Sequence, residues 1–168
     1  MYKKRRKKLF GLMKDNSIVL IESAPEKIRN NDSTYRYRQC SNFYYLTGYD
    51  KPSALLIVIK KNKKLITHFF TKKPNKHDEI WTGQLPTSTE TKNLYGFDKC
   101  NYLNDIEKYL MLYLESTKTI YHAWGDNSVN KSIFNTCLHK LGEKYRSGTE
   151  LPSEFFSLKK IVHKLRLI

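Results

Sequence analysis

The sequence predicts an α/β fold, a single layered domain whose mixed, mostly buried sheet is flanked by helices. Three observations carry this. Ser17-Ile18-Val19-Leu20-Ile21 and Ser53-Ala54-Leu55-Leu56-Ile57-Val58-Ile59 are continuous apolar runs, the pattern of strands covered on both faces. Residues 65–70 follow the second run after the polar turn Lys60-Lys61-Asn62-Lys63-Lys64, so residues 53–70 read as a hairpin. In the second half, apolar residues at helical spacing alternate with a further short strand pattern, which interleaves helices with strands.

Taken in order, Lys3-Lys4-Arg5-Arg6-Lys7-Lys8 leads into Leu9, Leu12 and Met13 at helical spacing and predicts a short amphipathic helix over residues 3–14. Asp15-Asn16 ends it, and residues 17–21 are a strand central in the sheet. Residues 22–34, with Pro25, Asn30-Asn31 and Asp32, read as a loop. Tyr37-Arg38-Gln39-Cys40-Ser41-Asn42-Phe43-Tyr44-Tyr45-Leu46-Thr47-Gly48-Tyr49 is an aromatic hinge in which Ser41 is a good N-cap and Gly48 can take the positive φ that ends a helical turn. That turn is expected to plug one end of the sheet. Residues 71–91, with Pro74, Pro86 and the patch Glu79-Ile80-Trp81-Thr82-Gly83, read as a long irregular arm over the sheet edge, and arms of this length are often functional. Residues 103–115 place Leu103, Ile106, Leu110 and Tyr113 or Leu114 on one helical face. Residues 119–123 form a fourth strand. Residues 127–145, through Val129, Ile133, Phe134, Cys137, Leu138 and Leu141, and residues 158–167, through Ile161, Val162 and Leu165, are helices.

A chain of 168 residues suits one domain that buries roughly 70% of its unfolded surface. Its 12 tyrosines, 8 phenylalanines and 2 tryptophans exclude a disordered chain. No run approaches the roughly 18 apolar residues of a membrane span, and no signal-peptide pattern follows the basic N-terminus, so no membrane partner and a cytoplasmic location are expected. Cys40, Cys100 and Cys137 are odd in number and widely spaced, which suggests free thiols rather than disulfides or a zinc site. The 31 Lys and Arg against 16 Asp and Glu give a net charge of +15. That invites a nucleic-acid partner, but a solvated surface explains the lysines scattered over turns without any polyanion, and only residues 3–8 form a block, itself a weak signal, so a nucleic-acid partner is not expected.

The chemistry-bearing patterns are sparse. The chain has no HExxH, DxD, GxSxG, P-loop or GxGxxG. His77-Asp78-Glu79 is the densest ligand-like cluster, but three adjacent residues cannot easily aim at one ion. His68, His122 and His163 sit in predicted elements, where packing histidines are common, so no catalytic residue and no metal ligand is assigned.

The ordered motifs carry a resemblance. Arg5-Arg6-Lys7-Lys8-Leu9 to Met13, then Tyr37-Arg38-Gln39 with Ser41, then Phe43-Tyr44-Tyr45-Leu46-Thr47-Gly48-Tyr49, Pro52 and Ala54 resemble the N-terminal domain of Xaa-Pro aminopeptidases, the aminopeptidase P family. Glu79-Ile80-Trp81-Thr82-Gly83, Tyr121-His122-Ala123 and Val162-His163-Lys164-Leu165-Arg166-Leu167-Ile168 continue it in the same order, although Thr82-Gly83-Gln84-Leu85 departs from what family members often carry after Ile-Trp.

The resemblance implies a creatinase-type N-terminal domain over residues 1–168 with a ribonuclease H-like motif, preceding a "pita-bread" metallopeptidase domain absent from this chain. The two Mn²⁺ ions implied for the full-length enzyme would be held by ligands in that absent part, and none maps here. The implied partners are that catalytic domain, sister subunits in a homo-oligomer, and proline-containing peptides. Trp81 and Arg146 match family positions that face the active-site mouth, partly across a subunit boundary, while Tyr37, Arg38, Gln39, Ser41, Phe43, Tyr44 and Gly48 form the structural motif. For Trp81 and Arg146 the alternative is plain packing on the sheet and capping of the 127–145 helix. A non-catalytic accessory domain, a free-standing scaffold on the same fold and a basic nucleic-acid module are the readings carried forward.

Overall fold

The computed structural model describes residues 1–31, 33–75, 83–115, 117–123, 131–145, 148 and 150–167. Its helices are α1 (Tyr2–Leu12), α2 (Ser41–Thr47), α3 (Ser88–Tyr95), α4 (Ile106–Leu114), α5 (Lys131–Lys144) and α6 (Leu158–Arg166), with a 3-10 turn at Leu103–Asp105. The strands are β1 (Ser17–Glu22), β2 (Ile28–Asn30), β3 (Ser33–Thr34), β4 (Ala54–Lys61), β5 (Lys64–Thr71), β6 (Lys99–Tyr102), β7 (Thr119–His122) and β8 (Glu154–Ser157). Six of them form one mixed sheet in the order β6-β5-β4-β1-β7-β8. The β1–β4 and β4–β5 pairs are antiparallel, whereas β5–β6, β1–β7 and β7–β8 are parallel.

The period of two along each strand divides the core between two faces. Val19 and Ile21 of β1, Leu56 and Val58 of β4, Phe69 of β5 and Tyr121 of β7 pack with Leu9 and Met13 of α1, Phe43 and Leu46 of α2, and Val162 and Leu165 of α6. Ile18 and Leu20, Leu55, Ile57 and Ile59, Phe70 and Ile120 pack with Ile106, Leu110 and Leu114 of α4 and Phe134, Cys137 and Leu141 of α5. Because the central strands are covered on both sides, their apolar runs are continuous, as expected. Each buried Leu, Ile or Phe contributes about 1.5–3 kcal/mol.

The β4–β5 hairpin closes through Asn62 and Lys63, both with positive φ (49° and 58°), the signature of a two-residue type I′ turn. The residues between the paired strand ends Lys61 and Lys64 therefore carry the turn.

Several expectations change. The buried residues of α1 are Arg6 and Leu9, with Met13 buried just past its end; Leu12 is 51% exposed, because at 3.6 residues per turn it lies roughly 120° around the helix from Arg6. Ser41 is the first helical residue of α2, whose N-cap position is Cys40 with no side-chain cap. Helix α2 covers a face of the sheet rather than plugging its end, as the burial of Phe43 and Leu46 in the α1/α6 core shows. The loop over 22–34 contains the short ribbon β2–β3, and the arm over 71–91 ends in α3. That helix begins with a capping box, in which the Thr87 side chain accepts from the Glu90 amide and the Glu90 carboxylate accepts from the Thr87 amide. Strands β6 and β8, both at sheet edges, carry no continuous apolar run and were not anticipated.

Candidate functional site

Parallel neighbours β1 and β7 end side by side, and β1 is antiparallel to β4 on its other side. Ligand crevices in α/β sheets form outside the carboxyl ends of such strands. A hollow of about 300 Å³ opens there, lined by Glu22, Ser23, Asn42, His122 and Lys159 among others. A second hollow of about 330 Å³ lies beyond the segment Ala24, Pro25 and Lys27, against residues 35–41. The wall between them is held by the tyrosine–glutamine part of the sequence motif.

Gln39 uses both ends of its amide. Its Oε1 accepts from the backbone N–H groups of Ala24 (2.8 Å) and Cys40 (2.9 Å), and its Nε2 donates to the carbonyls of Tyr49 (3.2 Å) and Lys51 (2.9 Å). Tyr37 Oη donates to the Ala24 carbonyl at 3.0 Å, and burial pushes this phenol up to about 12, so it remains a donor. These two side chains therefore tie the backbone at Ala24 and at Tyr49 to Lys51 to the entrance of α2 at Cys40. Arg38 and Ser41 are exposed and take no part in this clasp.

Beyond α2, Gly48 has φ 74°, and its N–H donates to the Tyr44 carbonyl at 2.8 Å. A Cβ there would sit 2.3 Å from Cε2 of Tyr2, whose ring stands edge-on to Tyr44. Only glycine lets α1 approach α2 this closely.

Inside that contact lies Arg6, 1% exposed. Its Nη1 donates to the Leu46 carbonyl at 2.9 Å, and its Nη2 to the carbonyls of Tyr95 (2.9 Å) and Gly96 (2.7 Å), so one guanidinium caps the C-terminal ends of both α2 and α3. It stands 4.6 Å over the Phe97 ring, and burial lowers its pKa to about 10, leaving it charged at neutral pH. Arg5 lies 4.2 Å over the Tyr45 ring and donates to the Tyr45 carbonyl. The sequence marks both arginines as parts of a basic block and of the family motif, but gives neither a carbonyl partner.

On the opposite face His68 is fully buried, stacked on Phe70 at 4.2 Å. Its Nε2 lies 2.9 Å from Asn101 Oδ1 and its Nδ1 2.8 Å from Tyr113 Oη. The neutral Nε2–H tautomer satisfies both, donating to Asn101 and accepting from Tyr113. Burial lowers the His68 pKa to about 4, the Asn101 contact opposing. This is the packing histidine that its strand position suggested. His122 lies flat on Phe134, with ring centroids 5.4 Å apart, and His163 is exposed on α6.

These arrangements can wall and position, but they bring together little reactive chemistry. The Ser23 hydroxyl in the crevice accepts from the Ala54 N–H at 2.9 Å and so extends the sheet pairing. Among the described residues no three His, Cys, Asp or Glu side chains converge on a common point as ligands of an ion. The donor set here does not fit a dinuclear manganese site. Trp81, Arg146 and the cluster His77-Asp78-Glu79 lie outside the described residues. Cys40, Cys100 and Cys137 are free thiols, Cys137 being buried.

Residues 2–121 match the family model described as "Aminopeptidase P, N-terminal domain". The Xaa-Pro aminopeptidase of Escherichia coli (strain K12) is 32% identical over 170 residues, which cover 99% of this chain and 38% of the relative. The Xaa-Pro aminopeptidase of Haemophilus influenzae is 30% identical over 139 residues, covering 80% of this chain and 32% of the relative. Among solved structures, aminopeptidase P from E. coli in its low-pH form superposes with a TM-score of 0.93 at 31% identity, over 99% of this chain and 38% of that one. A zinc-substituted form of the E. coli enzyme in complex with product matches with the same TM-score, identity and coverage. The chain thus spans well under half the length of the relatives it matches.

Proposed function

Because the chain belongs to the aminopeptidase P N-terminal domain family, we propose that it serves a manganese-dependent Xaa-Pro aminopeptidase as a non-catalytic domain that assembles subunits and narrows access to a metal centre held elsewhere. One observation supports this above the others. Nearly the whole chain corresponds to 38% of an Xaa-Pro aminopeptidase, in sequence and in fold, while the residues described here offer no converging metal ligands. In this reading residues 1–168 form one domain, and the two Mn²⁺ ions and the hydrolysis of proline-containing peptides belong to a separate pita-bread catalytic domain. Sister subunits complete the assembly, and the enzyme works in the cytoplasm. The rigid Gln39 clasp and the Arg6 clamp suit a wall, because both fix loops and helix ends without mobile groups.

Trp81 walls the substrate entrance and Arg146 holds a peptide carboxylate or an acidic neighbour bidentately. The test is an Xaa-Pro peptide assay with Mn²⁺, run on this chain and on any longer product of its coding region. Hydrolysis in the longer product alone is the expected result, with Trp81→Ala raising KM or lowering kcat there. Hydrolysis by the 168-residue chain itself, or unchanged kinetics in Trp81→Ala, would overturn the respective assignments.

A further inference from the structure

The two helical faces of the sheet differ in how their charges are balanced. On the α4/α5 side cations meet anions: Lys140 pairs with Glu107, and Lys144 Nζ lies 2.5 Å from Glu115 Oε1. On the other side α1 carries six Lys and Arg over 11 residues and no acid, α2 carries no charge, and the 9 residues of α6 carry four Lys and Arg and no acid. Glu90 of α3, on the same side, is engaged by its Thr87 cap.

The fold then sorts the cations. Arg5 and Arg6 turn inward onto carbonyls and rings, whereas Lys3, Lys4, Lys7 and Lys8 are exposed. Helices α1 and α6 lie together, joined through Tyr45, which carries Arg5 over its ring and donates from Oη to the Leu165 carbonyl at 2.8 Å. Lys160 and Lys164 are exposed on α6. Lys3 with Lys7 and Lys4 with Lys8 are like-charge pairs one turn apart, at the end of a helix whose dipole disfavours cations. No charge on these helices compensates them.

We propose that this α1/α6 face binds nucleic acid through its phosphates, without reading sequence. A line of phosphates is the partner whose charge repeats along a surface as these lysines do. Leu9 and Met13 are in the core, so that of the large apolar residues of α1 only Leu12 stands well exposed, too little to enter a bilayer. A second copy of this chain would bring the same sign of charge. Tyr44, 43% exposed on α2, adds a ring on which an unpaired base can stack.

The experiment is fluorescence anisotropy of the chain with labelled single-stranded and duplex DNA of about 20 nucleotides, titrated between roughly 50 and 200 mM NaCl. Six lysine–phosphate contacts predict about a thousandfold loss of affinity across that range. Lys4→Gln/Lys8→Gln/Lys164→Gln is expected to weaken low-salt binding at least ~10-fold and to reduce the salt slope by about 3. The charge-matched Lys108→Gln/Lys140→Gln/Lys144→Gln is expected to stay within about twofold, because its lysines lie on the other face. Equal weakening by the two variants, salt-independent binding, or no binding at low salt would overturn the proposal. Binding to phosphatidylserine vesicles without binding to either DNA would overturn it in favour of a membrane surface.

Discussion

Replacing Arg6 tests whether a residue inside a basic block belongs to the surface or to the core. The three hydrogen bonds from its guanidinium to the Leu46, Tyr95 and Gly96 carbonyls are 2.9, 2.9 and 2.7 Å long. Leaving a buried acceptor unpaired costs about 1–3 kcal/mol, and Arg6→Met leaves three carbonyls without their donor. Part of that cost is offset because the substitution removes a charge that burial penalises and a buried Nε that has no hydrogen-bond partner among the described residues. Arg6→Met is therefore expected to destabilise the chain by about 4 kcal/mol, and for a domain of this size Tm falls by roughly 8–16 °C. Arg6→Lys, which cannot present a fork to three carbonyls, is expected to recover less than half of that. Lys7→Met, one residue on and exposed, is expected to change stability by no more than about 0.5 kcal/mol. The assay is urea unfolding of the three variants, read by circular dichroism and by tyrosine fluorescence. If Arg6→Met costs no more than Lys7→Met, the clamp between α2 and α3 is not a stabilising element and the reasoning fails.

The other predictions concern the neighbouring devices. Gly48→Ala puts a Cβ at positive φ and 2.3 Å from the Tyr2 ring, so a loss of about 2–4 kcal/mol is expected. In the Tyr2→Ala background the same change is expected to cost only the backbone part, about 1 kcal/mol, and equal costs in both backgrounds would exclude the ring contact. Gln39→Ala removes the partners of two amides and two carbonyls, and hydrogen exchange at Ala24 and Cys40 is expected to speed at least ~10-fold while the β4 amides stay protected. His68 has its folded pKa depressed from 6.5 to about 4, so the unfolded chain binds the extra proton first. Its contribution is fully present above pH 6.5 and is lost as pH falls towards 4, by roughly 3 kcal/mol in all. Urea midpoints of the parent and of His68→Phe, compared between neutral pH and the acid side of this window, should converge on acidification; parallel profiles would contradict the assignment.

The elements whose signals are local were readable from the residues. The apolar runs of β1 and β4, the hairpin between β4 and β5, the positive φ of Gly48, the stripe Ile106, Leu110 and Leu114 of α4 and the stripe of α6 each depend on neighbours a few positions away and are found where the pattern put them, as is the stripe from Ile133 to Leu141 of α5, Val129 lying outside the described residues. The capping box Thr87 to Glu90, followed by Gly96 with φ 64°, was equally local, but the two prolines in the preceding arm obscured it. The family motif was readable because side chains such as Gln39 and Tyr37 are required together to close one clasp.

What only the tertiary structure decided depends on partners far along the chain. Strands β6 and β8 are short and partly exposed, and they exist because β5 and β7 offer them parallel edges, so no apolar run could announce them. The block at residues 3–8 is uniform in sequence, yet α1 turns Arg5 and Arg6 onto carbonyls some 40 and 90 positions away and leaves the four lysines in water. Composition determined the net charge of +15. Helix phase and the placement of α2, α3 and α6 on one face of the sheet determined which of those charges hold the core together and which remain on the surface.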